Sequence, residues 1–163
     1  MERQSNMLKY TDFDIVFQEI PDEVTLAINI SNCPCGCAGC HSPHLADDIG
    51  DALTASEVDT LLEKYGAAVT CVCLMGGDAD PAAVNALAAH IRMKGKKSAW
   101  YSGRAALPDT IDTAHFDFIK LGPYIAERGG LKSPTTNQRL FRIECGQMHD
   151  ITDRFWPKKE FTE

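Results

Sequence analysis

The sequence predicts an α/β protein that forms one domain, residues 1–163, around a mainly parallel sheet. Two observations lead to this fold class. Apolar segments of strand length alternate with amphipathic helical segments, and this alternation is typical of parallel strands joined by crossover connections. Cysteines, glycines and polar residues cluster directly after the strands, where parallel sheets collect their ligands. A chain of 163 residues is long enough to bury one core.

The individual strands and helices follow from local patterns in the sequence. Apolar or β-branched segments predict five strands, over residues 23–30, 68–75, 97–103, 116–122 and 137–144. Amphipathic segments predict helices over residues 54–66 and 80–95, and a short helix over residues 108–114. Thr54 and Asp80 are typical N-cap residues, and Pro81 suits the first helical position.

Composition and charge exclude several classes of protein. The net charge of −7 argues against nucleic-acid binding, which needs a basic face. No apolar run reaches the roughly 18 residues of a membrane-spanning helix. The polar N-terminal segment has no apolar core of the kind that a secretory signal contains. We therefore expect a cytoplasmic protein that contacts neither membrane nor nucleic acid.

Four cysteines, Cys33, Cys35, Cys37 and Cys40, fall within eight residues directly after the first predicted strand. A disulfide framework, a structural zinc site and an iron–sulfur site could each explain them. The odd total of seven cysteines, in a compartment that keeps thiols reduced, favours metal binding. Structural zinc usually takes two separated ligand pairs, although Cys35 or His41 could complete a local site. Three cysteines would instead leave one iron of a cluster without a protein ligand.

The spacing Cys33-x3-Cys37-x2-Cys40 after a strand resembles the signature of radical S-adenosylmethionine (SAM) enzymes. Further stretches narrow the resemblance: "CAGCH" at 37–41, "GGD" at 76–78, "WYSG" at 100–103 and "SPTTNQRLFRI" at 133–143. With residues 14–31, they are similar to the activating proteins of anaerobic ribonucleoside-triphosphate reductase, a family of glycyl-radical enzyme activases. Two positions depart from the wider pattern. Gly39 replaces a large apolar residue, and Ala79 replaces a common proline.

This resemblance implies an open, partial (β/α) barrel of the radical SAM type, with about five to six mainly parallel strands. A closed eight-stranded barrel would need about 250 residues. The resemblance also implies that a [4Fe–4S] cluster is ligated by Cys33, Cys37 and Cys40. The residues that it assigns to SAM binding are Gly39, Cys40, His41, Gly76, Gly77, Asp78, Tyr101 and Ser102. Asp78 would accept a hydrogen bond from the SAM ammonium group, with a helix cap as the structural alternative.

The activity implied by the resemblance is reductive cleavage of SAM at the cluster, which generates a glycyl radical on the large subunit of the reductase. A one-electron donor such as flavodoxin or ferredoxin is expected, and no catalytic residue beyond the cluster and SAM. Two alternatives stay open. The chain could activate another glycyl-radical enzyme, such as pyruvate formate-lyase, or it could be a non-enzymatic zinc-binding adaptor.

The remaining unusual residues have simpler interpretations. Cys71 and Cys73 share one face of a buried strand, and we expect them to pack in the core as small apolar side chains. The polar segment 128–139 is expected to form a surface loop, with the docking of a partner as its alternative role.

Overall fold

Eight strands form one sheet in the computed structural model, which describes residues 8–31 and 50–156. The strands are β1 (Lys9–Val16), β2 (Thr25–Ile30), β3 (Asp51–Ala52), β4 (Cys71–Met75), β5 (Lys97–Tyr101), β6 (Phe118–Leu121), β7 (Arg139–Glu144) and β8 (Gln147–Asp150). The helices are α1 (Ala55–Tyr65) and α2 (Pro81–Met93), and short 3₁₀ segments cover Gly66–Ala68, Thr113–His115 and Thr152–Phe155.

Parallel pairing is confined to four neighbouring strands at the centre of the sheet. The strand order is β3-β1-β2-β4-β5-β6-β7-β8. The pairs β2–β4, β4–β5 and β5–β6 are parallel, whereas β1–β2, β1–β3, β6–β7 and β7–β8 are antiparallel. In the described residues, the sheet thus has eight strands rather than five or six, and the expected mainly parallel pairing holds only at its centre.

Three antiparallel pairs, β1–β2, β6–β7 and β7–β8, arise because the described connections between their strands contain no crossover helix. Residues 17–24 join β1 to β2, and residues 122–138 join β6 to β7, without an α-helix in either connection. Cys145 and Gly146 join β7 to β8 with φ angles of 52° and 77°, as in a tight hairpin turn. Direct returns of this kind place strands antiparallel. The described sheet has open edges at β3 and β8, and the partial-barrel geometry stays a prediction.

The N-caps of both α-helices are confirmed. The backbone N–H of Glu57 donates to Thr54 Oγ1 at 3.2 Å at the start of α1. The N–H of Ala83 donates to Asp80 Oδ1 at 3.2 Å at the start of α2, which begins with Pro81. Each cap pairs a backbone donor that has no partner within its own helix.

The short helix predicted over residues 108–114 is wrong. The chain makes a turn there, in which the N–H of Ile111 donates to the Pro108 carbonyl at 3.1 Å. The 3₁₀ segment Thr113–His115 follows, and the Asp112 side chain accepts from the N–H of Ala114 at 3.0 Å. Asp112 therefore caps a single 3₁₀ turn, and the residues from Pro108 to Asp112 form no α-helix.

Two apolar clusters cover the two faces of the sheet. Both helices pack into the larger cluster, where Val58 of α1 and Val84 of α2 join Leu74 and Trp100 of the sheet. The smaller cluster on the other face contains the buried Cys71, Cys73, Ala99, Phe118 and Leu140, and Ile20 from the β1–β2 connection packs into it. This placement confirms that Cys71 and Cys73 are core residues.

Candidate functional site

The candidate site lies at the edge of the sheet where the four parallel strands end. Carboxyl ends of parallel strands meet at one edge, so the residues that follow β4, β5 and β6 are brought together. We call residues 76–78, 101–104 and 120–123 the carboxyl rim. The segment that contains the four clustered cysteines begins directly after Ser31, which follows β2 at this same edge.

Part of the expected site lies outside the described residues. This part comprises the proposed cluster ligands, two SAM-binding positions and the additional loop cysteine, namely Cys33, Cys37, Cys40, Gly39, His41 and Cys35. Among residues 8–31 and 50–156, no group of three or more His, Cys, Asp or Glu side chains could hold a metal ion. The ligand assignment therefore stays a prediction.

Gly76 and Gly77 form a left-handed turn directly after β4. Their φ angles are 113° and 89°, a conformation that glycine adopts without strain. A Cβ atom on Gly77 would lie 2.6 Å from Val84 Cγ2, and one on Gly76 would lie 3.1 Å from the Ile30 carbonyl oxygen. The fold itself thus requires both glycines, and the expected close approach of SAM to this turn is a separate prediction.

The Asp78 carboxylate joins the chain after β4 to the chain after β5. The residue is only 1% exposed. Its Oδ1 accepts from the Ser102 hydroxyl, and its Oδ2 accepts from the Gly103 N–H at 2.9 Å. Asp80, not Asp78, caps helix α2. The capping alternative for Asp78 is therefore wrong, and its contact with the SAM ammonium stays a prediction.

The hydroxyl groups of Tyr101 and Ser102 donate to acceptors within the protein. Tyr101 Oη donates to the Glu19 carbonyl in the β1–β2 connection. Burial, reinforced by the nearby Cys73 and Glu19, raises the pKa of Tyr101 well above its usual value. Tyr101 therefore keeps its proton and ties residues 17–24 to the rim, while Ser102, which is fully buried, holds Asp78.

Two cations at the rim were not among the residues that the sequence singled out. Lys120 is 8% exposed, and its Nζ donates to the Ser102 carbonyl at 3.0 Å and to the Gly122 carbonyl at 2.8 Å. Arg104 donates from Nη2 to the Asp78 carbonyl at 2.6 Å, while its side chain is 43% exposed. A lysine within the apolar stretch of β6 is the signal that could have identified Lys120.

Asn137 is another polar residue at this edge, two positions before β7. Its Nδ2 donates to the Pro123 carbonyl at 3.0 Å. Its Oδ1 is buried and has no hydrogen-bond partner among the described residues. The sequence patterns placed Asn137 in the polar segment 128–139 and at the start of the strand predicted over 137–144, whereas β7 begins at Arg139. They gave no sign that the Asn137 oxygen is buried.

Cys71 and Cys73 do not have the character of metal ligands. Burial raises the pKa of Cys71 to about 12 and that of Cys73 well above its usual value. These two thiols therefore stay protonated at neutral pH, whereas metal ligation requires a thiolate. Cys145 is exposed at the β7–β8 turn.

Comparison of the chain with protein-family models, with curated proteins and with solved structures found no match. In the described ranges, none of the helices has the length and apolar character that crossing a membrane requires. Any functional assignment therefore rests on the residues of this chain, their spacing and their geometry.

Proposed function

We propose that the protein is a radical SAM activase that cleaves SAM reductively at a [4Fe–4S] cluster. Its target in this proposal is the large subunit of anaerobic ribonucleoside-triphosphate reductase, on which it generates a glycyl radical. A flavodoxin or ferredoxin supplies the electron, and the cytoplasm is the proposed location. The proposal begins from the resemblance of the sequence motifs and is supported by the arrangement of the carboxyl rim.

One observation carries the proposal: the cysteine segment and the glycine turn start side by side. Strand β2 leads into the cysteine segment and pairs in parallel with β4, with Asn29 opposite Met75 at the end of the pair. Gly76 follows β4, and its position lies against the Ile30 carbonyl, three residues before Cys33. Two motifs that are 36 residues apart, from Cys40 to Gly76, thus leave neighbouring strands at one edge.

The donor chemistry of the cysteine segment fits a cluster. Three thiolates spaced Cys33-x3-Cys37-x2-Cys40 supply soft sulfur ligands and leave one iron for the amino and carboxylate groups of SAM. When bound, the cluster supplies the single electron that SAM cleavage needs. The protein contributes binding, orientation and exclusion of water.

The residues of the rim have positioning roles in this proposal. Asp78 fixes the chain after β5 through Ser102 and Gly103. In this proposal, as the resemblance implies, the Asp78 carboxylate also accepts from the SAM ammonium, and Arg104 Nε lies 3.7 Å from its Oδ1. Arg104, with its half-exposed guanidinium, adds positive charge that favours a ligand carboxylate.

The proposed substrate is a protein segment rather than a small molecule. The described sheet is not closed, since β3 and β8 each lack a further neighbouring strand among the described residues. A glycine-bearing loop of a large partner could fill the open side and exclude water from the reaction.

An anaerobic activation assay tests the proposal. Reconstituted protein, SAM, a reductant and the reductase large subunit should together give a glycyl-radical signal in electron paramagnetic resonance and release methionine. Omission of SAM should abolish both results. A radical on pyruvate formate-lyase, with none on the reductase, would show that the target is a different glycyl-radical enzyme. Purified protein that holds zinc and cleaves no SAM would favour the adaptor instead.

A further inference from the structure

Arg104 is the exposed member of an ion pair whose other member is buried. Its Nε lies 3.7 Å from Asp78 Oδ1, and the arginine side chain is half-exposed, whereas the Asp78 side chain is 1% exposed. In the other four arginine ion pairs within residues 8–31 and 50–156, the acidic side chain is at least 25% exposed. A ligand on the carboxyl rim can therefore reach this cation, while the charge that holds the cation lies inside the protein.

The backbone of Arg104 is fixed between the ends of two strands. Its N–H donates to Ser102 Oγ at 3.0 Å, and its carbonyl accepts from the Gly122 N–H at 2.6 Å. Ser102 follows β5, and Gly122 follows β6. The point from which the arginine side chain starts is therefore set by the β5 and β6 ends of the rim.

The side chain crosses from that point to the end of β4. Arg104 Nη2 donates to the Asp78 carbonyl at 2.6 Å, so the guanidinium lies at the residue that follows the turn at Gly76 and Gly77. Strand β4 pairs in parallel with β2, and the position of Gly76 lies against the Ile30 carbonyl at the end of β2. The positive charge is thus placed at the strand end next to the one from which the cysteine segment departs.

The guanidinium has donor capacity that the described residues do not use. It carries five N–H groups, and its one hydrogen bond to residues 8–31 and 50–156 is the bond from Nη2 to the Asp78 carbonyl. The 3.7 Å between Nε and Asp78 Oδ1 is too long for a direct hydrogen bond. Both contacts involve Nε and Nη2, which leaves the two N–H groups of Nη1 for a further acceptor. Carboxylates suit such a group, because arginine can donate two parallel bonds to their two oxygens.

We infer that Arg104 makes the site specific for a ligand that bears a carboxylate, and that it donates to the carboxylate of SAM. This inference rests on the proposed function, in which the methionine end of SAM lies along the glycine turn. A carboxylate has two oxygens, so Arg104 can pair with one while the other is available to the iron. Asp78 holds the guanidinium in position for this contact.

A cycle of two ligands and two proteins tests the inference. The proteins are the wild type and Arg104→Met, both reconstituted anaerobically. The ligands are SAM and decarboxylated SAM, which keeps the sulfonium and the ammonium. Equilibrium dialysis with labelled SAM gives the first affinity, and competition against labelled SAM gives the second. Arg104→Met should weaken SAM binding about tenfold, equivalent to ~1.4 kcal/mol, and should change the affinity for decarboxylated SAM less than about twofold.

The comparison of ligands separates direct binding from support of the fold. Loss of Arg104 also removes a counter-charge of Asp78, and a site distorted by that change would bind both ligands more weakly. Equal losses for the two ligands would therefore overturn the inference. Arg104→Lys keeps the charge but not the paired N–H groups, so its loss for SAM should be intermediate. It provides the same comparison if Arg104→Met does not fold.

Arg92→Met is the matched control at the opposite edge of the sheet. The Arg92 side chain is also half-exposed, and its Nη1 donates to the Ala114 carbonyl at 3.1 Å and lies 3.7 Å from Asp117 Oδ1. These contacts are of the same kind as those of Arg104, but they precede β6. The variant should bind both ligands as the wild type does. A tenfold loss of SAM affinity in Arg92→Met would indicate a general effect of net charge and contradict the inference.

Two results separate the inference from the proposed function. Unchanged SAM affinity in Arg104→Met overturns the inference and leaves the proposed function standing. Failure of the wild-type protein to bind SAM overturns the proposed function, and the inference falls with it.

Discussion

Replacement of Asp78 by alanine should destabilise the protein far more than replacement of the neighbouring Asp80. The Asp78 carboxylate is 1% exposed, accepts hydrogen bonds from Ser102 and Gly103, and lies 3.7 Å from Arg104 Nε. Each hydrogen bond to a charged group contributes roughly 1.5–3 kcal/mol. Removal of the carboxylate leaves the Ser102 hydroxyl and the Gly103 N–H without an acceptor, and each unpaired buried donor costs about 1–3 kcal/mol. We expect a loss in this range.

Asp80→Ala is the matched control, because Asp80 only caps helix α2 by accepting from the Ala83 N–H. The loss of such a cap costs about 0.5–2 kcal/mol. Urea denaturation of both variants gives their free energies of unfolding, and Asp78→Asn should fall between the wild type and Asp78→Ala. Equal stability of Asp78→Ala and Asp80→Ala would refute the interpretation of Asp78 as the link between the β4 and β5 ends.

The resemblance adds a second expectation for Asp78. Loss of a charge-assisted bond to the SAM ammonium would weaken SAM binding by about 10- to 150-fold. The iron content should not change, because the carboxylate is not a proposed cluster ligand. Reduced stability together with unchanged SAM affinity would leave Asp78 as a structural residue only.

Two further predictions concern glycine geometry and thiol reactivity. Gly77→Ala should cost roughly 2–4 kcal/mol in unfolding free energy, because its Cβ would lie 2.6 Å from Val84 Cγ2 at a φ of 89°. Gly95→Ala is the control, since its φ is 81° with no atom within 4 Å, and equal losses would contradict the packing argument. In native protein at pH 8, iodoacetamide should alkylate Cys145 and leave Cys71 unmodified, because burial raises the pKa of Cys71 to about 12. Peptide mapping that finds Cys71 modified in folded protein would show that this strand is not buried.

The sequence could predict the elements whose signals are local. Helices α1 and α2 carry capping residues, and β4 is an apolar run, so their type and approximate position follow from neighbouring residues alone. Strand β1 contains Asp12 and Asp14 among its apolar residues, and β8 is four residues long and largely exposed. These strands are stabilised by pairing with partners in the sheet, which a local pattern does not reveal.

The candidate site was predictable as a location but not as a set of contacts. The parallel strands place Gly76–Asp78 and Ser102 at one edge, as the alternation of strands and helices indicates. The direction of the Asp78 side chain depends on Ser102, 24 residues away, and the burial of Lys120 depends on carbonyls from two strand ends. Such contacts are set by tertiary packing, and residue type gives no direct signal for them.

The central claim is that Cys33, Cys37 and Cys40 hold the cluster that binds and cleaves SAM. The most direct measurement is the iron and sulfide content of four anaerobically reconstituted variants, Cys33→Ala, Cys37→Ala, Cys40→Ala and Cys35→Ala. The first three should lose the cluster and the release of methionine from SAM, because each removes one of three thiolate ligands. Cys35→Ala should keep both, since Cys35 is outside the proposed ligand spacing. Full cluster retention in Cys37→Ala, or loss in Cys35→Ala alone, would contradict the claim.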